Sequence, residues 1–209
     1  MTAYAYKSVI DAAPLRTALI DPETVFAELG VTPTADQSAQ MEVVIAQVSG
    51  LIDSFLDRHL AEADVTDFFR RPNGDTLRLS RWPVAEILQV IEGGTELTPD
   101  GWELDDVTGQ LWRLAGGDRA CWSGCGTTTV SYVGGYDLPD DLPADIQRAA
   151  LDEIKAKFMS GPRDPNLRSF NVPDTFQASY SVGGGDSAGK SGLMAQVEAA
   201  LAPYRRMVV

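Results

Sequence analysis

One stretch constrains the fold more than any other. Met41, Val44, Ile45, Val48, Leu51, Ile52, Phe55 and Leu56 recur at intervals of three and four residues. That spacing lays a broad apolar stripe along one face of an α-helix, and such a stripe must be buried against other elements. Thr34 followed by Gln37 has the pattern of a capping box, so the helix is predicted over about 34–60. Three further helices fit around it. Asp21, Pro22 and the stop at Gly30 mark a short helix near 21–30. Pro143, Asp145 and the stripe Ile146, Ala149, Ala150, Ile154 and Phe158 mark another near 143–160, ended by Gly161-Pro162. Leu193, Val197 and Leu201, four residues apart, mark the last near 192–202, which Pro203 ends.

Between the second and third helices the period changes from helical to alternating. Thr66–Arg71 and Thr76–Ser80 flank Pro72-Asn73-Gly74-Asp75, a hairpin signal. Val84–Glu92, Trp102–Leu104, Gln110–Leu114 and Thr127–Val133 continue the pattern, separated by glycine-bearing turns. The expectation is an α+β protein: one domain over 1–209 with a helical core and an antiparallel β insertion near 65–133. Residues 162–192 are rich in Gly, Ser, Asp and Asn and read as loop or linker, with 175–182 extended, and 203–209 form a terminal tail. No run of eighteen apolar residues exists, and Lys7, Asp11 and Arg16 interrupt the N-terminal stretch. Neither a membrane span nor a signal peptide fits, and a cytoplasmic product is expected.

Chemistry-bearing residues are sparse. Cys121 and Cys125 are the only cysteines and His59 the only histidine, too few ligands for a structural zinc. His59 falls on the predicted long helix, where a surface or capping role is expected rather than catalysis. The acidic pairs Asp105-Asp106 and Asp140-Asp141 sit beside turn residues and read as solvated turns. Trp82, Trp102, Trp112 and Trp122 all fall in the β region, as core or as interface residues. Gly184 to Ser191 matches the phosphate-loop pattern G-x-x-x-x-G-K-[ST], with Lys190 and Ser191 as its would-be ligands. A working loop of that kind lies between a buried parallel strand and a helix, and the segments upstream read as helices and antiparallel strands. A flexible linker is therefore the preferred reading, with nucleotide binding as the alternative. Neither a cofactor nor a metal is expected.

The formal charge of −13 opposes capture of a phosphate backbone and suits a wall past which DNA slides. On so acidic a chain, the basic-apolar ending Tyr204-Arg205-Arg206-Met207-Val208-Val209 reads either as a docking segment or as a tail folded back on its own domain.

Tyr132-Val133-Gly134-Gly135-Tyr136, then Leu138-Pro139-Asp140-Asp141-Leu142-Pro143-Ala144-Asp145-Ile146, resembles the segment ahead of the main helix in head-to-tail connector (adaptor) proteins of long-tailed bacteriophages and gene transfer agents. Tyr180-Ser181-Val182-Gly183-Gly184 and Leu201-Ala202-Pro203-Tyr204-Arg205-Arg206 extend the resemblance, which covers about residue 20 to the end; the chain departs most from the family over 1–20 and at the Gly184–Ser191 loop. It implies a non-enzymatic structural subunit of a virion or phage-like particle. Such subunits form a ring, typically a dodecamer, between the portal protein and a tail-side stopper or connector, with genomic DNA passing through unbound. It further implies that Leu201, Tyr204, Arg205, Arg206, Met207, Val208 and Val209 dock on the portal. A stopper or tail-completion protein is the other connector role left open.

Overall fold

The computed structural model describes residues 2–14, 16–160, 169–172, 176–179 and 191–206 of the chain. Its elements begin with strands β1 (Thr2–Tyr4) and β2 (Lys7–Ala12) and helices α1 (Pro22–Leu29) and α2 (Ala35–Leu56). Strands β3 (Ala63–Arg70), β4 (Thr76–Arg78), β5 (Val84–Glu92), β6 (Thr95–Glu96), β7 (Trp102–Asp105), β8 (Gln110–Ala115), β9 (Asp118–Ala120) and β10 (Thr127–Gly134) follow. Helix α3 (Ala144–Ser160), the antiparallel pair β11 (Ser169–Val172) and β12 (Phe176–Ser179), and helix α4 (Ala195–Leu201) complete the described chain. The class is α+β, as the sequence indicates. Contacts divide the chain into a β unit, Met1–Thr17 with Arg58–Leu142, and a helical unit, Ala18–Asp57 with Pro143–Val209.

In the helical unit the long amphipathic helix forms where its stripe demands. The capping box is present: the Thr34 hydroxyl accepts the Gln37 N–H at 3.3 Å, and the Gln37 side chain accepts the Thr34 N–H at 2.9 Å. Met41, Ile45, Val48, Ile52 and Leu56 are buried, and Ser49, on the same face, accepts the Leu19 N–H at 3.2 Å. The helix stops at Leu56, four residues short of the expected end, because Asp57 turns left-handed at φ 53° and its N–H closes on the Asp53 and Ser54 carbonyls. His59 consequently lies beyond the helix, exposed, and not on it as the sequence suggested. Helix α3 packs on both α2 and α4 through Ile146, Ala149, Ala150 and Ile154, all buried. Phe158 meets Phe26 of α1 edge to face, with ring centroids 5.9 Å apart.

The β unit is built from two sheets, one in the order β1-β4-β8-β7 with β9 on β8, the other β2-β3-β10-β5-β6. Their shared core contains Val65, Phe69, Leu77, Leu79, Val90, Leu111, Trp122, Val130 and Tyr132. Alternation along β3 sends Ala63, Val65, Asp67 and Phe69 inward, so a carboxylate enters an apolar core. Both of its oxygens are hydrogen-bonded there: Asp67 accepts the Tyr132 hydroxyl at 2.9 Å, the Ser80 N–H at 2.6 Å and the Ser80 hydroxyl at 2.8 Å. The Tyr132 oxygen in turn accepts the Arg81 N–H at 3.0 Å. Burial and the Asp67 charge hold the Tyr132 phenol well above its ordinary pKa, which keeps it a donor.

The structure corrects the sequence reading in two further places. The strands flanking Pro72–Asp75 do not form a hairpin, since β3 and β4 lie in different sheets. The carbonyls of Gly74 and Asp75 instead accept the Trp122 and Arg113 N–H groups. Residues 2–12, to which the sequence reading gave no structure, supply β1, parallel to β4, and β2, antiparallel to β3. The β unit is therefore not made by the inserted segment alone.

Gly134 and Gly135 of the Tyr-x-Gly-Gly-Tyr motif have a steric role. A Cβ on Gly134 would stand 2.8 Å from the Tyr132 ring, and one on Gly135 only 2.5 Å from the Ala61 carbonyl oxygen, at a φ of 116°. This close approach lets the Tyr136 N–H reach Leu60 O at 2.7 Å and the Glu62 N–H reach Tyr136 O at 2.9 Å. Gly135→Ala should destabilise the protein by about 2–4 kcal/mol in urea unfolding, well beyond Gly116→Ala, which meets a left-handed φ of 65° but open space.

Candidate docking surfaces

The C-terminal segment of the helical unit is anchored before its described part ends. Val197 and Leu201 form the buried face of α4, and Leu193, two residues ahead of the helix, is buried as well. Glu153 on α3, itself buried, accepts the Met194 N–H at 2.9 Å ahead of α4 and pairs with Lys157 at 3.5 Å. After a 3-10 turn through Tyr204, the Tyr204 hydroxyl donates to Asp145 on α3 at 3.1 Å. The Arg205 guanidinium stands 5.7 Å from the centre of the Phe55 ring, and the Arg206 N–H caps the Leu56 carbonyl at the end of α2 at 2.9 Å. Through Arg206, then, the chain folds back on its own unit. Leu201 is fully buried, Tyr204 and Arg206 are half-buried, and Arg205 is exposed. Met207, Val208 and Val209 lie outside the described residues. Beside this segment α3 and α4 border an open groove of about 470 Å³, floored by Ala149, Val197 and Ala200 and rimmed by Asp145, Arg148 and Asp152.

Most of the phosphate-loop pattern, including Lys190, also lies outside the described residues. Ser191 is described, and its N–H and hydroxyl both donate to the Glu198 carboxylate. A carboxylate thus occupies the donors that a phosphate would need, and the one parallel strand pair among the described residues, β1 with β4, has no crossover into α4. Asp105 and Asp106 serve the β7–β8 turn, accepting from Thr108 and Val107. Trp122 is core, whereas Trp112 is half-buried with Arg119 4.4 Å from its ring centre. No group of three His, Cys, Asp or Glu among the described residues could hold a metal ion.

A feature that sequence reasoning missed is the charge order along the sheet containing β2 and β3. At one end the exposed cations Lys7, Arg70 and Arg71 cluster with Tyr6 and Phe68; Arg70 lies 4.8 Å from the Tyr6 ring centre and Lys7 5.3 Å from that of Phe68. None of the three cations forms an ion pair with a described carboxylate. At the other end lie Asp11, Glu62, Asp64, Asp137 and Asp141. Burial, then the charges of Asp137, Asp141 and Asp64, raise the Glu62 pKa above its ordinary value. Arg58 and Arg81 at that end are buried and donate to the carbonyls of Trp82 and Ala61. The signal was present in the order Lys7…Asp11 and Asp64…Arg70-Arg71, but it becomes spatial only when residues 7–12 are known to pair with β3.

No family model matches this chain, and no curated protein does. Solved structures do. A chain from the neck of the empty gene transfer agent (GTA) particle, computed with C6 symmetry, aligns with a TM-score of 0.59 at 18% identity, covering 97% of both chains. The chain shares the fold of a protein in that neck. The neck of the native GTA particle, computed with C12 symmetry, gives a TM-score of 0.53 at 17% identity over 97% of each chain. The virion of the native particle gives 0.58 at 16%, over 97% of this chain and 96% of the other. With so few identities, the arrangement of the backbone carries the likeness, and side chains at particular positions do not.

Two measurements follow from these surfaces. Leu201→Ala should cost about 2–4 kcal/mol of stability in chemical denaturation, whereas Arg205→Ala should change it by less than about 0.5 kcal/mol. Only the second variant can separate docking from folding. For Glu62, a folded-state pKa above the unfolded value means that stability falls as pH rises from about 4.5 through the raised pKa. Glu62→Gln should therefore raise the melting temperature at pH 7, leave it nearly unchanged at pH 4, and flatten the profile between.

Proposed function

We propose that this chain is a structural ring subunit of a phage-like particle's neck, the head-to-tail adaptor between the portal and the tail-side connector. One observation carries the reading. Likeness of fold over 97% of both chains to a protein in GTA necks leaves almost no part of either chain without a counterpart. The motif Tyr132–Tyr136 agrees with it, because its glycines do steric work and no chemistry. In this reading the subunit acts by geometry: copies close a ring, typically a dodecamer, around a channel through which the genome passes. A net charge of −13 per copy disfavours adhesion of DNA to the ring. No enzymatic step is assigned to it.

The tail reading is refined by the packing. Leu201 serves the fold, Arg205 is exposed, and residues 207–209 complete a basic-apolar end suited to a portal groove. The test is imaging of assembled particles with the chain truncated after Arg206. The truncated subunit should still fold, but its attachment to the portal should be weakened or lost. Portal attachment unchanged by the truncation would remove the docking role, and absence of the intact chain from the neck would remove the adaptor reading itself.

A further inference from the structure

Identical acidic subunits in a ring repel one another, so their contact has to be locally attractive. The β unit carries a charge order that supplies such a contact. Strand β3 leads from Asp64 to Arg70, and β2, running antiparallel beside it, places Lys7 opposite Phe68 and Ala12 opposite Asp64. Both strands thus put cations at the same end and carboxylates at the other, roughly 20 Å apart at the usual rise per residue. The cationic end is exposed and unpaired among the described residues, with Tyr6 half in solvent at 51% exposure beside it. Aromatic and Arg side chains together are the composition of binding hot spots. At the acidic end Glu62, Asp64, Asp137 and Asp141 crowd together, and Asp137 and Asp141 are exposed.

We infer that β units of neighbouring copies dock head to tail, with Lys7, Arg70 and Arg71 of one copy meeting Glu62, Asp64, Asp137 and Asp141 of the next. The occupant is a second copy of this chain because the two surfaces are complementary in sign and lie at opposite ends of one sheet. Joining different patches of identical molecules produces a heterologous contact, which closes into a ring when its rotation permits. Nucleic acid is the competing occupant of a basic-aromatic patch, but the rest of a chain of charge −13 repels it. This inference rests on the ring reading and specifies which surfaces build the ring.

Two charge-reversed proteins test it. The first carries Arg70→Glu with Arg71→Glu, the second Asp137→Lys with Asp141→Lys, and all four positions are exposed. Self-association is followed by sedimentation at low salt and high protein concentration, with melting curves to confirm folding. Each variant alone should associate at least roughly tenfold more weakly than the wild type, since each juxtaposes like charges. Mixed one to one, they should recover association, because each reversed end then faces its opposite sign. Should a variant fold poorly, Arg70→Gln with Arg71→Gln, or Asp137→Asn with Asp141→Asn, should reproduce the weakening without the rescue. A mixture that associates no better than its components, a wild type that remains monomeric throughout, or duplex DNA capture lost on reversing Arg70 and Arg71 would overturn the inference. Each of those results leaves the adaptor reading intact as long as the chain is found in the neck; its absence there would sink that reading separately.

Discussion

A carboxylate inside an apolar core is tolerable only when its oxygens are hydrogen-bonded, and Asp67 meets that condition at both oxygens with three donors from two residues. The geometry has consequences for the whole β unit. Asp67 and Tyr132 sit on β3 and β10 of one sheet, whereas Ser80 follows β4 of the other, so the network fixes how the two sheets meet. Nonpolar packing alone would permit small slides between the sheets; a buried charge with directional partners does not. Tyr132 also begins the Tyr-x-Gly-Gly-Tyr motif, whose glycines press the end of β10 against Ala61. Packing order in the β unit thus converges on a few residues around one buried anion.

Much of this was legible in the sequence, and the reason is local. Helix α2 was readable because its capping box and stripe are both short-range patterns, and the turns at Gly93-Gly94 and Asp105–Gly109 were readable for the same reason. What the sequence concealed depends on long-range pairing. Pro72–Asp75 looks like a hairpin turn, yet β3 finds β2 and β10, and β4 finds β1 and β8. Strands β1 and β2 were invisible because Thr2–Tyr4 is short and Lys7–Ala12, at the rim of its sheet, is mostly exposed and lacks clean alternation. Asp67 resembles any polar residue in a strand until the register turns it inward.

The candidate docking surfaces divide in the same way. The C-terminal tail announced itself through composition, an apolar-basic end on an acidic chain, but not through packing. Leu201 is needed by α4, and only the structure separates a residue that holds the segment from one that faces outward. The two charged ends of the β2–β3 sheet are the reverse case: each residue is unremarkable in sequence, and proximity gives them meaning. At 16–18% identity the GTA neck chains preserve the arrangement of elements, so surface chemistry of this kind is free to differ between them and this chain.

The latch between the Arg206 N–H and the Leu56 carbonyl closes a covalent and hydrogen-bonded loop at the point where α2 ends and the chain departs through Asp57 toward the β unit. Tension applied to the last residues is borne first by that bond and by the Tyr204 contact to Asp145, and then by the final turn of α2. A load on the tail therefore reaches the C-terminal end of the long helix rather than being dissipated at a frayed terminus.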